Sequence, residues 1–168
     1  MEMPIEKSVS LCERYPSVVE RYFTRQNITG EDGNPDVTLL FHSNKICLVT
    51  LAPNHKVLSN GSPISKVNFK VGEKLDRSSN KVVGKGKKGG QHLNEKSLLC
   101  IIECEDGSSY NILAGIKGKL IEVNENLTSN PQLLVSQAET NGYIAVILQK
   151  LERNKSEKLC DDKNDADC

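Results

Sequence analysis

Seven short runs of branched, aliphatic and aromatic residues recur along this chain, with Gly, Asn, Asp and Pro standing between them. They are Val37–Phe41, Ile46–Ala52, Ile64–Val71, Leu98–Cys104, Ser109–Leu113, Gly118–Asn124 and Gly142–Leu151. Runs of this length and composition suit strands, because no apolar 3.6-residue period is sustained over the ten or so residues a helix needs. Asp106-Gly107, between the fourth and fifth runs, has the chemistry of a tight hairpin turn: Gly accepts positive φ and Asp bonds the local backbone. Many short strands with such turns predict an all-β sandwich or small barrel rather than βαβ units. With 168 residues, 37% of them apolar, the chain fills one ordinary core.

Local signals refine this outline. Ser17 and Glu20 have the spacing of a capping box, so a short helix is predicted over 17–25 with Val18, Val19 and Tyr22 as its apolar positions. The next segment, Gln26 to Asp36, is dominated by turn formers and is expected to be a loop. His42-Ser-Asn-Lys45 divides a hairpin, and Ile64–Val71 alternates with one slip of phase, which predicts a bulged strand. In the sixth run Ile121 and Val123 are expected to alternate with Glu122, and Gly118 to admit a neighbouring backbone. The Asn130-Pro131 region leaves room for one turn of helix. In the last run Ile144 and Val146 are expected in the core, with Tyr143 at core or rim. Val83 and Val123 each precede a Leu by ten residues, an echo that suggests a duplicated strand, loop, strand unit. The organisation expected is a flexible N-terminus over 1–16, one folded domain over 17–153 and a disordered acidic tail over 154–168.

Charge is balanced overall, 22 Lys+Arg against 22 Asp+Glu, which argues against bulk affinity for nucleic acid or a membrane surface. Locally it is not: residues 64–96 hold nine basic and three acidic side chains. Within them the stretch GKGKKGG places Lys85, Lys87 and Lys88 on a glycine-rich loop, although it lacks the Ser/Thr and spacing of a phosphate-binding P-loop. Cys100 and Cys104 fall on one face of a strand and read as small core residues rather than a metal pair, and His42, His55 and His92 stand apart from one another. No metal site is expected. Nor is there a signal-peptide core or an apolar run that spans a bilayer, so an intracellular protein without a membrane partner is expected. The Asn-x-Thr triplets at Asn27 and Asn126 are then chance matches. Motifs for a nucleophile elbow, a zinc protease or a dinucleotide fold are absent, which argues against an enzyme.

GKLIEVNENLTSNPQLL, residues 118–134, followed by GYIAVIL resembles the closing segment of the glycine-cleavage H protein, a lipoyl-carrier barrel. Upstream, RYFTR, HSNKICLVTLAPNHKVL and NKVVGKGKKGGQHL resemble the Abitram (Simiate) family, noncatalytic relatives of the H protein, with the similarity running from Val18 to Arg153. This resemblance implies a barrel-sandwich hybrid, the single-hybrid motif of lipoyl and biotinyl carriers, with a short N-terminal helix. It also implies actin, as monomer or filament, for a partner, with regulation of polymerisation and a location in nuclear speckles and in the cytoplasm, including actin-rich cell projections.

In the H protein a lysine at a hairpin tip is acylated by lipoate. Counting back from Gly118 puts Asp106-Gly107 at that tip, and no lysine occurs from Leu98 through Ile116. Because a carboxylate cannot form the acyl amide, the resemblance implies no cofactor, and the acyl-carrier reading is disfavoured. Lys85, Lys87 and Lys88 become the candidate contact for an acidic partner, the actin surface being acidic. A nucleic-acid or transcription-associated adaptor is the alternative reading of the same basic segment, weakened by the lack of aromatic residues on which bases stack.

Overall fold

A computed structural model describes residues 15–30, 33 and 35–150, and the expectations for the N-terminus up to Arg14 and for the tail beyond Lys150 lie outside these residues. In chain order the elements are α1 (Val18–Tyr22), β1 (Phe23–Thr29), β2 (Pro35–His42), β3 (Ile46–Leu51), α2 (Lys56–Ser59), β4 (Ile64–Asn68) and β5 (His92–Leu93). They continue with β6 (Leu98–Cys104), β7 (Ser109–Leu113), β8 (Gly118–Val123), α3 (Asn126–Ser129), α4 (Leu133–Ser136) and β9 (Ala145–Gln149). All described strand pairs are antiparallel and form two sheets, one ordered β1-β2-β3-β9-β8-β5 and one ordered β4-β6-β7. One apolar cluster joins them, drawing Val37, Leu39, Val49 and Ile147 from the larger sheet and Val67, Cys100, Ile102 and Ile112 from the smaller. This is the barrel-sandwich arrangement, in which each sheet buries its inner face against the other.

The Asp-Gly hairpin forms as read, with β6 and β7 paired from Leu98↔Leu113 to Glu103↔Ser109. Cys47, Cys100 and Cys104 are free, buried thiols of the core. Burial pushes the Cys47 thiol up to about 12 and raises that of Cys100 further. At Gly118 a Cβ would lie 2.4 Å from the Leu148 carbonyl oxygen, so the β8–β9 approach does require glycine. The motif shared with the H protein proves to be a joint: the buried Asn124 side chain donates to the Asn141 and Tyr143 carbonyls (2.7 and 2.9 Å) and accepts from the Asn126 N–H, fixing α3 to the start of β9.

Several expectations need correction. The capping box is present, but α1 stops at Tyr22; only Val19 is buried, while Val18 and Tyr22 are exposed. The expected loop from Gln26 begins four residues late, because β1 runs on to Thr29 along β2. Its anchor is Ile28, which packs on the core cluster so closely with Val37 that a Cβ on Gly115 would lie 3.2 Å from each. Two helical turns, α3 and α4, occupy the segment expected to hold one. A bulge between Leu120 and Glu122 shifts the phase of β8, so Leu120 and Val123 point inward and Ile121 is only half-buried. Ile144, just before β9, and Ile147 within it are buried, and Val146 is not fully so. Tyr143 belongs to the rim: its hydroxyl donates to Glu122 Oε1 at 2.9 Å, and burial followed by that bond pushes its pKa up to about 12. Finally, the Val-to-Leu echo does not extend to packing, since Val83 is exposed and Val123 buried.

Candidate functional site

The polar segment from Val71 to Gln91 contains no long strand, yet it is closely seated on the barrel. Arg77 is the key to its near end. Its guanidinium is buried, donating from Nε to the Leu98 carbonyl at 3.0 Å and from Nη1 to Gln91 Oε1 at 2.7 Å, and desolvation lowers its pKa. Gln91 Nε2 returns to the Asp76 carbonyl at 2.9 Å. Asn80 ties the far end to β8: Nδ2 donates to the Leu120 and Ile121 carbonyls, both at 3.0 Å, while Oδ1 accepts from the Gln91 N–H at 2.8 Å. The bulge in β8 is therefore not idle, because Asn80 takes the two carbonyls at which the ladder is interrupted.

From this seat a four-residue turn projects. Val83 and Lys88 exchange two backbone hydrogen bonds (2.9 and 3.0 Å), and the Lys87 N–H donates to the Gly84 carbonyl at 3.1 Å. Gly84 and Lys87 both have positive φ, 69° and 49°. Asymmetry follows from the next contact: Lys119 Nζ, on β8, donates to the Lys87 carbonyl at 3.0 Å. The three sequence-predicted lysines are thus together on one turn, but not on equal terms. Lys85 and Lys88 are exposed and Lys87 is half-buried. The glycine-rich loop is closely packed at its end, since Gly89, with φ 84°, passes so near Lys81 that a Cβ would meet its carbonyl oxygen at 2.5 Å. Asn80, Gln91, Arg77 and Lys119 escaped the sequence reading because their partners lie up to 41 residues away. Lys85, Lys87 and Lys88 on one turn, with Lys119 against it, concentrate positive charge locally in a protein of zero formal charge.

The β6–β7 tip is the second place to look, and it has the opposite chemistry. Asp106 Oδ1 accepts from the Ser108 N–H at 2.9 Å and from the Ser108 hydroxyl, and Oδ2 accepts from the Ser62 hydroxyl at 2.8 Å. These bonds, led by the Ser108 hydroxyl, hold the Asp106 carboxyl below the usual carboxylate range. Gly107 supplies the positive φ, 84°. No amine stands at this turn, and of its two carboxylates that of Asp106 is occupied by donors from Ser108 and Ser62.

The histidines are placed as structural side chains. His55 is buried at the N-cap of α2, with Nδ1 accepting from the Val57 N–H and Nε2 3.1 Å from Asp36 Oδ1. His42 rests against Phe23 with ring centroids 5.3 Å apart. Among the described residues no group of three or more His, Cys, Asp or Glu is arranged to hold a metal ion, and no helix is long and apolar enough to cross a membrane.

Comparison with known proteins places this geometry in context. Residues 75–167 match the glycine cleavage H-protein family. Protein Abitram of Danio rerio is 45% identical over 146 residues, which is 86% of this chain and 82% of that protein. Protein Abitram of Homo sapiens is 43% identical over 143 residues, 84% of this chain and 79% of its own length. The Dictyostelium discoideum protein of the same name is 36% identical over 138 residues, 82% and 74% of the two chains. Among solved structures the fold is similar to a glycine cleavage system H protein from Mycobacterium marinum, with a TM-score of 0.52 at 11% identity, over 77% of this chain and 90% of that one.

Proposed function

Because this chain belongs to the Abitram family and carries a glycine cleavage H-protein domain, we propose that it is a noncatalytic binding module that contacts actin and tunes its polymerisation. Actin, the nuclear speckle and the actin-rich projection come from the family resemblance; the contact comes from the basic turn. One observation carries the reading. The tip that by resemblance corresponds to the acyl-accepting lysine of the H protein holds Asp106-Gly107 here, the carboxylate bonded by Ser108 and Ser62, while Lys85 and Lys88 stand exposed on an ordered support. A domain of this kind without the acceptor amine has association left as its function. Ammonium groups on a fixed turn recruit an acidic surface at rates and affinities that fall as salt rises.

Cosedimentation with actin filaments across a salt series tests this directly. Pelleting at low salt that declines with ionic strength is expected, and absence of pelleting at low salt overturns the reading. Changing Lys85, Lys87 and Lys88 together to Glu is expected to remove the contact with an unchanged circular dichroism spectrum. Retained binding would move the site off the turn. The surplus of positive charge over residues 64–96 also supports a nucleic-acid adaptor; a mobility shift with a steep salt slope would favour that reading instead.

A further inference from the structure

Val83 is 70% exposed, a larger fraction than any other big apolar side chain for which a high exposure is recorded among the described residues. Its exposure is not the accident of a loose loop. The residue is hydrogen-bonded through both its N–H and its carbonyl to Lys88, and the turn it opens is held by Gly89 beneath Lys81 and by Lys119 on the Lys87 carbonyl. Residues that exchange both backbone bonds across an antiparallel pair send their side chains to the same face, about 5.5 Å apart at Cα. The Val83 isopropyl group and the Lys88 stem therefore stand side by side, with Lys85 two residues on. An apolar centre with a polar rim is the general layout of a protein-recognition surface.

Resting on the reading above, we infer that this turn docks an acidic peptide segment that also carries an aliphatic side chain, its carboxylates meeting Lys85 and Lys88 while the aliphatic group covers Val83. Charge complementarity selects the acidic partner, since neither Lys85 nor Lys88 pairs with a carboxylate among the described residues. The isopropyl group selects peptide over nucleic acid, because it presents no plane for a base and residues 81–90 contain neither an aromatic side chain nor Arg.

Fluorescence anisotropy with the full chain tests the inference using two labelled synthetic peptides of equal length and charge, glutamates flanking either a central Leu or a central Ser, and an oligothymidylate of the same formal charge. The Leu peptide is expected to bind about tenfold more tightly than the Ser peptide. Val83→Ser should remove that difference while leaving the Ser peptide unaffected, Val83→Ile should preserve it, and Lys85→Glu with Lys88→Glu should weaken both peptides. Equal binding of the two peptides, or a difference that survives Val83→Ser, overturns the apolar anchor while leaving the lysine contact standing. Tighter binding of the oligothymidylate than of either peptide overturns the choice of a peptide partner. Peptide binding indifferent to both lysines overturns the inference, whereas absence of filament pelleting by the unaltered chain at low salt defeats the proposed function itself.

Discussion

The two polar turns on this domain contrast in how they use their charge. At residues 105–108 a carboxylate is consumed by its neighbours: Asp106 accepts from Ser108 twice and from Ser62. At residues 84–87 the charges are cations, and the bonds that shape the turn run instead through backbone carbonyls, Lys119 and the Asn80 clamp. Each has a glycine at φ 84°, Gly107 within the first turn and Gly89 just after the second. Only Gly89 has a neighbour within 4 Å of the place a Cβ would take. A turn can therefore be rigid because it satisfies itself or because it is built into the wall beneath it. The first kind occupies the Asp106 carboxylate, whereas the second leaves Lys85 and Lys88 available to a partner.

This contrast is open to direct attack. Gly89→Ala should do the most damage, about 3 kcal/mol, since the substitution must both hold positive φ and displace the Lys81 carbonyl; urea denaturation reads it. Asn80→Ala should follow at about 2 kcal/mol in the same assay, because it leaves the Leu120 and Ile121 carbonyls and the Gln91 N–H without their partner. At the other turn, Gly107→Ala meets no neighbour and should cost only about 1 kcal/mol, the left-handed backbone alone. A loss equal to that of Gly89→Ala would erase the distinction drawn above. Smaller still, reversing Lys85, Lys87 and Lys88 should change stability by less than about 0.5 kcal/mol while removing filament binding.

The acidic turn adds a pH test. Because Asp106 titrates below its unfolded value of about 3.9, the stabilisation it gives is present above that pH and is lost as pH falls through its depressed folded value. The Ser108 amide resonance, followed from about pH 5 to pH 2, should therefore move at lower pH than an unstructured aspartyl peptide. Asp106→Asn should abolish the transition.

Much of the fold could be read from short-range pattern. The β6–β7 hairpin was legible because apolar runs flank Asp106-Gly107, and the start of α1 because Ser17 and Glu20 have capping-box spacing. What escaped depends on contacts distant in sequence. Thr24 to Asn27 are exposed, with no apolar alternation to announce a strand; pairing with β2 and the Arg25–Glu139 ion pair draw them into β1. Nothing near Leu120 signals the bulge at Ile121, since the Asn80 side chain that satisfies it lies 41 residues upstream of Ile121. The lysines of the candidate site were visible as composition. Their inequality was not, because it arises from Lys119 reaching back to one carbonyl of the turn.

The core thiols carry a consequence of their own. Cys47, Cys100 and Cys104 sit within the sealed interior, Cys47 in the larger sheet and the others in the smaller. An alkylating reagent reaches them only in the moments when the layers come apart, so the pace of their modification is a stopwatch for the breathing of the intact domain, readable without installing any label.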